Sequence, residues 1–199
     1  MKADSELRGG PFDEGFIDAH IVEPPHEFGP IHQFDEAVDR ALEHARGHEP
    51  SDRILYGLTE LADFSLLWHL IGWTAALRSD RDAQAAVRLS TTLAAESGFV
   101  NGVLKSLFER ERPVHQGPRP HRLRVPLTTS FPSGHASAAF VAASLLAPES
   151  KRPVLWYALA GAVAYSRVHV RIHHASDVIG GAALGLVIGK AARKIWKLR

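Results

Sequence analysis

Residues 180–189 read GGAALGLVIG, with Gly181, Gly185 and Gly189 four apart and apolar side chains between them. On a helix, that spacing lines three glycines along one face. In a soluble helix each would cost about 1 kcal/mol relative to alanine. In a bilayer, where helices associate by close backbone contact, a stripe of small residues is a packing device. The stretch sits in a helix predicted over 175–196, and Trp196 within the basic end KAARKIWKLR (190–199) suits a membrane interface. These features favour a membrane-embedded, all-α bundle over a soluble one.

Upstream, the periodicity predicts further helices at about 54–77, 86–110, 134–147 and 153–168, and no strand-like alternation competes with them. The uncharged runs Phe64–Leu77 (14 residues), Ala136–Ala147 (12), Pro153–Ser166 (14) and Val178–Gly189 (12) are each shorter than the roughly 18 apolar residues of a standard span. Phe34, Ala37, Val38, Ala41, Leu42 and Ala45 recur at helical spacing among charges, giving an amphipathic helix near 33–46. The segment before it, with Pro11, Pro24, Pro25 and Pro30, reads as extended, and the opening MKADSELRGGPFDEGF lacks the apolar core of a secretory signal.

The averages of the 199-residue chain hide this segregation. It holds 23 Lys plus Arg against 22 Asp plus Glu, a net charge of +1, with 45% hydrophobic residues and a mean hydropathy of -0.09. Residues 1–52 carry 13 acidic and 4 basic residues, whereas residues 53–199 carry 9 acidic and 19 basic. The expected organisation is therefore an acidic N-terminal section, 1–52, and a helical-bundle domain, 53–199. A nucleic-acid partner is disfavoured by the near-zero total. With no cysteine, disulfides, thiolate metal sites and cysteine nucleophiles are excluded.

Three clusters carry the chemistry. In KSLFERERP, Lys105 and Arg112 are seven residues apart, nearly two helical turns, so both are expected to project from one face, an arrangement that suits an oxyanion. In FPSGHASAAF, Ser133 is a natural N-cap, Gly134 allows a ligand near the backbone amides, and His135 points from the first turn. In SRVHVRIHHASD, Arg167 precedes His173 and Asp177, which would share a face if the helix begins near His173. The carboxylate could then accept the Nδ1 proton and leave Nε2 as a nucleophile. Each cluster alone also fits a capped helix end at a membrane surface. A metal site on His169, His173 and His174 is disfavoured, because consecutive histidines splay apart on a helix and no acidic ligands complete it.

Taken together, Lys105, Arg112, Pro113, Pro132, Ser133, Gly134, His135, Ser166, Arg167, His173 and Asp177 resemble the tripartite signature of the type 2 phosphatidic acid phosphatase family. The resemblance covers about residues 55–195. It implies a lipid-phosphate phosphatase in which His173 attacks phosphorus, Asp177 orients it and His135 protonates the leaving oxygen. Lys105, Arg112, Ser133, Gly134 and Arg167 would bind the phosphate, with no cofactor and no divalent ion. The implied substrate is a phosphomonoester or diphosphate whose tail stays in the bilayer. Alternatives are a soluble acid phosphatase, a vanadate-dependent haloperoxidase, or a non-catalytic lipid-phosphate-binding protein. The five helices plus the amphipathic one depart from the six spans of many members. The far connections, with Arg78, Arg81, Arg88, Lys151, Arg152, Lys190, Arg193, Lys194, Lys197 and Arg199, would face the cytoplasm and put the site outside. Loop residues Arg119, Arg122 and Arg124 read as solvated or as recruiters of a second anionic group.

Overall fold

The structure, a computed structural model, describes residues 29–115 and 119–198; the readings on residues 1–28 and on Arg199 lie outside them. Among the described residues the fold is all-α, with no strand. The helices are α1 (Pro30–Glu43), α2 (Glu49–Leu61), α3 (Leu66–Ala76), α4 (Asp80–Gly102), α5 (Gly134–Leu146), α6 (Pro153–His169) and α7 (Ala175–Ile195).

Helix α5 is the axis of the bundle, packed by α4, α6 and α7. Its sequence, GHASAAFVAASLL, is small and apolar almost all round. Ala136, Ala139, Val141, Ala142 and Ala143 accordingly have no exposed surface. The glycine stripe of α7 lies against it. A Cβ at Gly181 would come within 2.4 Å of the Ser133 carbonyl oxygen, one at Gly185 within 2.2 Å of the Ser137 carbonyl, and one at Gly189 within 2.5 Å of Ser144 Cβ. Backbone therefore meets backbone at Gly181 and Gly185, and the Ser144 side chain closes the seam at Gly189. The cluster around it includes Trp68, Leu89, Leu93, Leu145 and Val163.

The outer surface is apolar as well. Leu66, Leu70, Trp73 and Leu77 stand exposed in a row on one side of α3, and Val154, Leu155, Ile179 and Val187 on α6 and α7. Helix α7 is long and apolar enough to cross a membrane, and only 28% of its apolar window is buried inside the protein.

Two helices differ from the sequence expectation in where they break or end. The run 54–77 is two helices bent by 65°, because Phe64 (φ 52) and Ser65 (φ 60) adopt left-handed conformations. Two non-glycine residues there cost about 1–2 kcal/mol each. The helix expected over 86–110 starts earlier and stops at Gly102, followed by a 3₁₀ turn at Leu104–Leu107. Lys105 and Arg112 are thus not on one helix face. Helix α7 begins at Ala175, the start expected of the 175–196 helix, with His174 as its N-cap, so the condition that it open near His173 is not met and His173 stands just before it.

The C-terminal ends of α4 and α6 and the N-terminal ends of α5 and α7 gather at one end of the bundle. At the other end, Arg88 is buried and donates to the carbonyls of Leu145 and Trp196. It ties helix C-termini together instead of joining the surface cations.

Candidate active site

A cavity of about 400 Å³ opens at the gathered end, lined by Asp63, Glu96, Lys105, Arg124, Thr128, Gly134, His135 and His173 among others. Ser133 caps α5 by accepting from the Ala136 amide, and its own N–H donates to the Asp177 carbonyl at 3.1 Å. The first turns of α5 and α7 are joined there. A Cβ on Gly134 would meet nothing nearer than Asn101 Oδ1 at 3.6 Å, so packing within the protein does not require glycine at this position. The space beside it opens into the cavity.

His173 is 2% exposed and enclosed by four partners. Its backbone N–H donates to the Arg167 carbonyl at 3.2 Å. Arg112 Nη1 lies 3.2 Å from His173 Nε2. A guanidinium only donates, so Nε2 accepts and the proton sits on Nδ1. Nδ1 is 3.6 Å from Asp177 Oδ2 and 3.5 Å from Ser130 Oγ, and Ser130 donates to the same carboxylate oxygen at 2.5 Å. Ser130, which no local sequence signal distinguished, therefore bridges the pair. Burial and the nearby Arg167 and Arg112 hold the His173 imidazole down to about 3, against the pull of Asp177, so the ring is neutral and Nε2 carries no proton.

The two cations of the first cluster meet through the loop instead of through a helix. Lys105 Nζ donates to Thr128 Oγ1 at 3.0 Å, and Arg112 donates to the carbonyls of Thr128 (3.0 Å), Thr129 (3.1 Å) and Ile172 (2.9 Å). Burial, reinforced by Arg112 and Arg167, lowers Lys105 to about 8. Arg167 has no exposed surface. One of its nitrogens donates to Thr59 Oγ1 at 2.6 Å, whereas Nε and Nη2 are buried without a partner. Unmet guanidinium donors in such a place are costly and suit an incoming anion.

His135 lies 2.8 Å from Asp63 through Nε2. Asp63 was not foreseen, because its position depends on the bend between α2 and α3. Among the loop arginines, Arg119 donates to the Val170 and Arg171 carbonyls. Arg122 is exposed, and Arg124 stacks over Phe64 at 4.6 Å beside the cavity mouth. Among the described residues no group of three His, Asp or Glu side chains converges as metal ligands would.

The PAP2 superfamily model matches residues 85–199. Phosphatidylglycerophosphatase B of Bacillus subtilis is 31% identical over 180 residues, covering 79% of this chain and 81% of its own. Decaprenylphosphoryl-5-phosphoribose phosphatase of Mycolicibacterium smegmatis is 32% identical over 151 residues, covering 74% and 81%. The crystal structure of a transmembrane PAP2 type phosphatidylglycerolphosphate phosphatase from Bacillus subtilis matches with a TM-score of 0.66 at 26% identity, over 87% of this chain and 91% of that one.

Proposed function

This chain belongs to the PAP2 superfamily and folds as a membrane-embedded helical bundle, and we propose that it hydrolyses the phosphomonoester or diphosphate of a bilayer lipid through a phosphohistidine. Its substrate is of the phosphatidate, phosphatidylglycerol phosphate or polyprenyl phosphate class. The observation that carries this reading is the contact of Arg112 with His173 Nε2. It fixes the tautomer that leaves the nucleophilic nitrogen unprotonated, and it holds a phosphate-binding cation beside that nitrogen.

In the proposed reaction His173 Nε2 forms a bond to phosphorus as the bond to the lipid oxygen breaks. Asp177 stabilises the positive charge that develops on the ring. His135, held by Asp63, gives a proton to the departing oxygen. It then takes one from the water that cleaves the phosphohistidine, releasing phosphate and restoring neutral His173. Lys105, Arg112, Arg167, Ser133 and the Gly134 amide bind the non-bridging oxygens and offset their growing charge. These cations occupy the role a divalent ion often plays, so the reaction is metal-independent. The exposed row on α3 disfavours a soluble relative. By the positive-inside rule, the lysines and arginines at the far end support a cytoplasmic placement of that end, with the site on the extracytoplasmic face.

The test is phosphate release from a panel of lipid phosphates in detergent micelles, with chelator and with vanadate. Activity that vanadate inhibits, that chelator leaves unchanged and that His173→Ala abolishes is expected. Turnover surviving His173→Ala would overturn the assignment, and loss on chelation would overturn metal independence.

A further inference from the structure

We infer that Asp35, on the amphipathic helix α1, is a positioning residue for the nucleophile pair and acts on it through Arg110. The inference rests on the reading of His173 and Asp177 given above. Asp35 is 5% exposed on a helix that is otherwise largely at the surface, and carboxylates are rarely buried unless paired. Its Oδ1 accepts the Ser176 N–H at 2.8 Å, and its Oδ2 accepts the Ser176 hydroxyl at 2.7 Å and an N–H of Arg110. Arg110 reaches onward to Asp177 Oδ1 at 2.6 Å. One guanidinium therefore joins a carboxylate of α1 to the carboxylate behind the nucleophile.

The order of charges matters. Asp177 commits Oδ2 to Ser130 and the His174 amide, on the side facing His173, and Oδ1 to Arg110. An arginine there with no counter-charge would fix Asp177 but also draw its charge away from the imidazole. Asp35 supplies the compensating charge, so Arg110 sets the position of Asp177 without neutralising it. Docking of α1 does not depend on Asp35 alone. Asp39 pairs with Arg46 at 2.6 Å and with Arg171 at 3.1 Å, and Arg46 also donates to the Val168 and His169 carbonyls. Asp35 lies outside the three clusters, and Arg110, although it falls within the first, is not one of the positions that carry the family signature.

The experiment uses the full chain in detergent micelles with dioleoyl phosphatidate, with kcat expressed per vanadate-binding site counted by calorimetry. Asp35→Asn is expected to lower kcat about tenfold with KM within about twofold of wild type, since orientation and not binding is lost. Arg110→Gln should do the same, and the double variant should be no worse than the poorer single one. Asp39→Asn, which loosens α1 without touching Asp177, should keep kcat per site within about twofold. An unchanged kcat per site in Asp35→Asn, additive losses in the double variant, or an equal loss in Asp39→Asn overturns the inference. If Asp35→Asn does not fold, Asp35→Glu and Arg110→Lys carry the test. Retaining both charges, they should stay within about threefold of wild type, and losses as deep as that of Arg110→Gln overturn it. Turnover in His173→Ala would instead defeat the underlying reading of the site.

Discussion

Asp63 stands 2.8 Å from His135 and reaches it only because the chain turns through two left-handed residues immediately after it. A carboxylate beside one ring nitrogen attracts the imidazolium form and leaves Nδ1 for the proton exchange proposed above. Asp63→Asn should therefore lower kcat on a lipid substrate by about a hundredfold. The loss should shrink to about tenfold or less on an aryl phosphate, whose leaving group needs no proton. Steady-state kinetics on both substrates checks this, and equal losses would show that Asp63 does not serve leaving-group protonation.

Lys105 gives the reaction an alkaline limit. Held near 8 by burial and neighbouring cations, it is charged below that pH and neutral above it, so phosphate binding by the free enzyme weakens as pH rises through about 8. The profile of kcat/KM, which reports the free enzyme, should fall there. That of kcat should fall at higher pH, because bound phosphate favours the charged lysine. Lys105→Arg should lower the plateau and move the limb upward by at least about one pH unit. A limb that stays in place assigns it to another group. His173, lowered to about 3, contributes no acid limb above about pH 4.

Gly134→Ala separates binding from folding. With its nearest neighbour at 3.6 Å, the added methyl should leave Tm unchanged within about 1 °C. It should weaken vanadate inhibition about tenfold by standing where an oxygen approaches the α5 amides. A fall in Tm with unchanged vanadate inhibition would reverse that assignment.

Gly185→Ala should do the opposite. Its Cβ would approach the Ser137 carbonyl to 2.2 Å, and since backbone cannot step aside cheaply, thermal unfolding should show a loss of about 1–3 kcal/mol. Gly161→Ala, with nothing within 4 Å, should be neutral or stabilising by up to about 1 kcal/mol. Equal stability of the two variants would mean that the seam is looser than described.

Much of this was legible in the sequence because it is local. The glycine stripe, the Ser133 cap and the spacing of His173 and Asp177 each depend on residues within a turn or two. What escaped depends on distant pairings. The 54–77 run carries no proline to announce its break, which exists to bring Asp63 to His135. Lys105 and Arg112 were read as helical neighbours, but they converge through Thr128, a loop residue that no periodicity marks. Asp35 looked like one more charge on an amphipathic helix, and only its burial against Ser176 and Arg110 distinguishes it. His169 likewise pairs with Asp52 at 2.7 Å and His69 with Ser90 at 2.9 Å, partners far apart in the chain that no sequence pattern marks.

The seam between α5 and α7 also governs how the protein can move. Glycines at every fourth position, each seated against a particular turn of the opposite helix, act as detents, because sliding by one residue would drive an alanine or leucine into a carbonyl. A bilayer that thins or thickens can tilt the pair as a unit, but it cannot shift one helix past the other. His173 just before α7 and the amides that open α5 thus keep their separation whatever the thickness of the membrane around them.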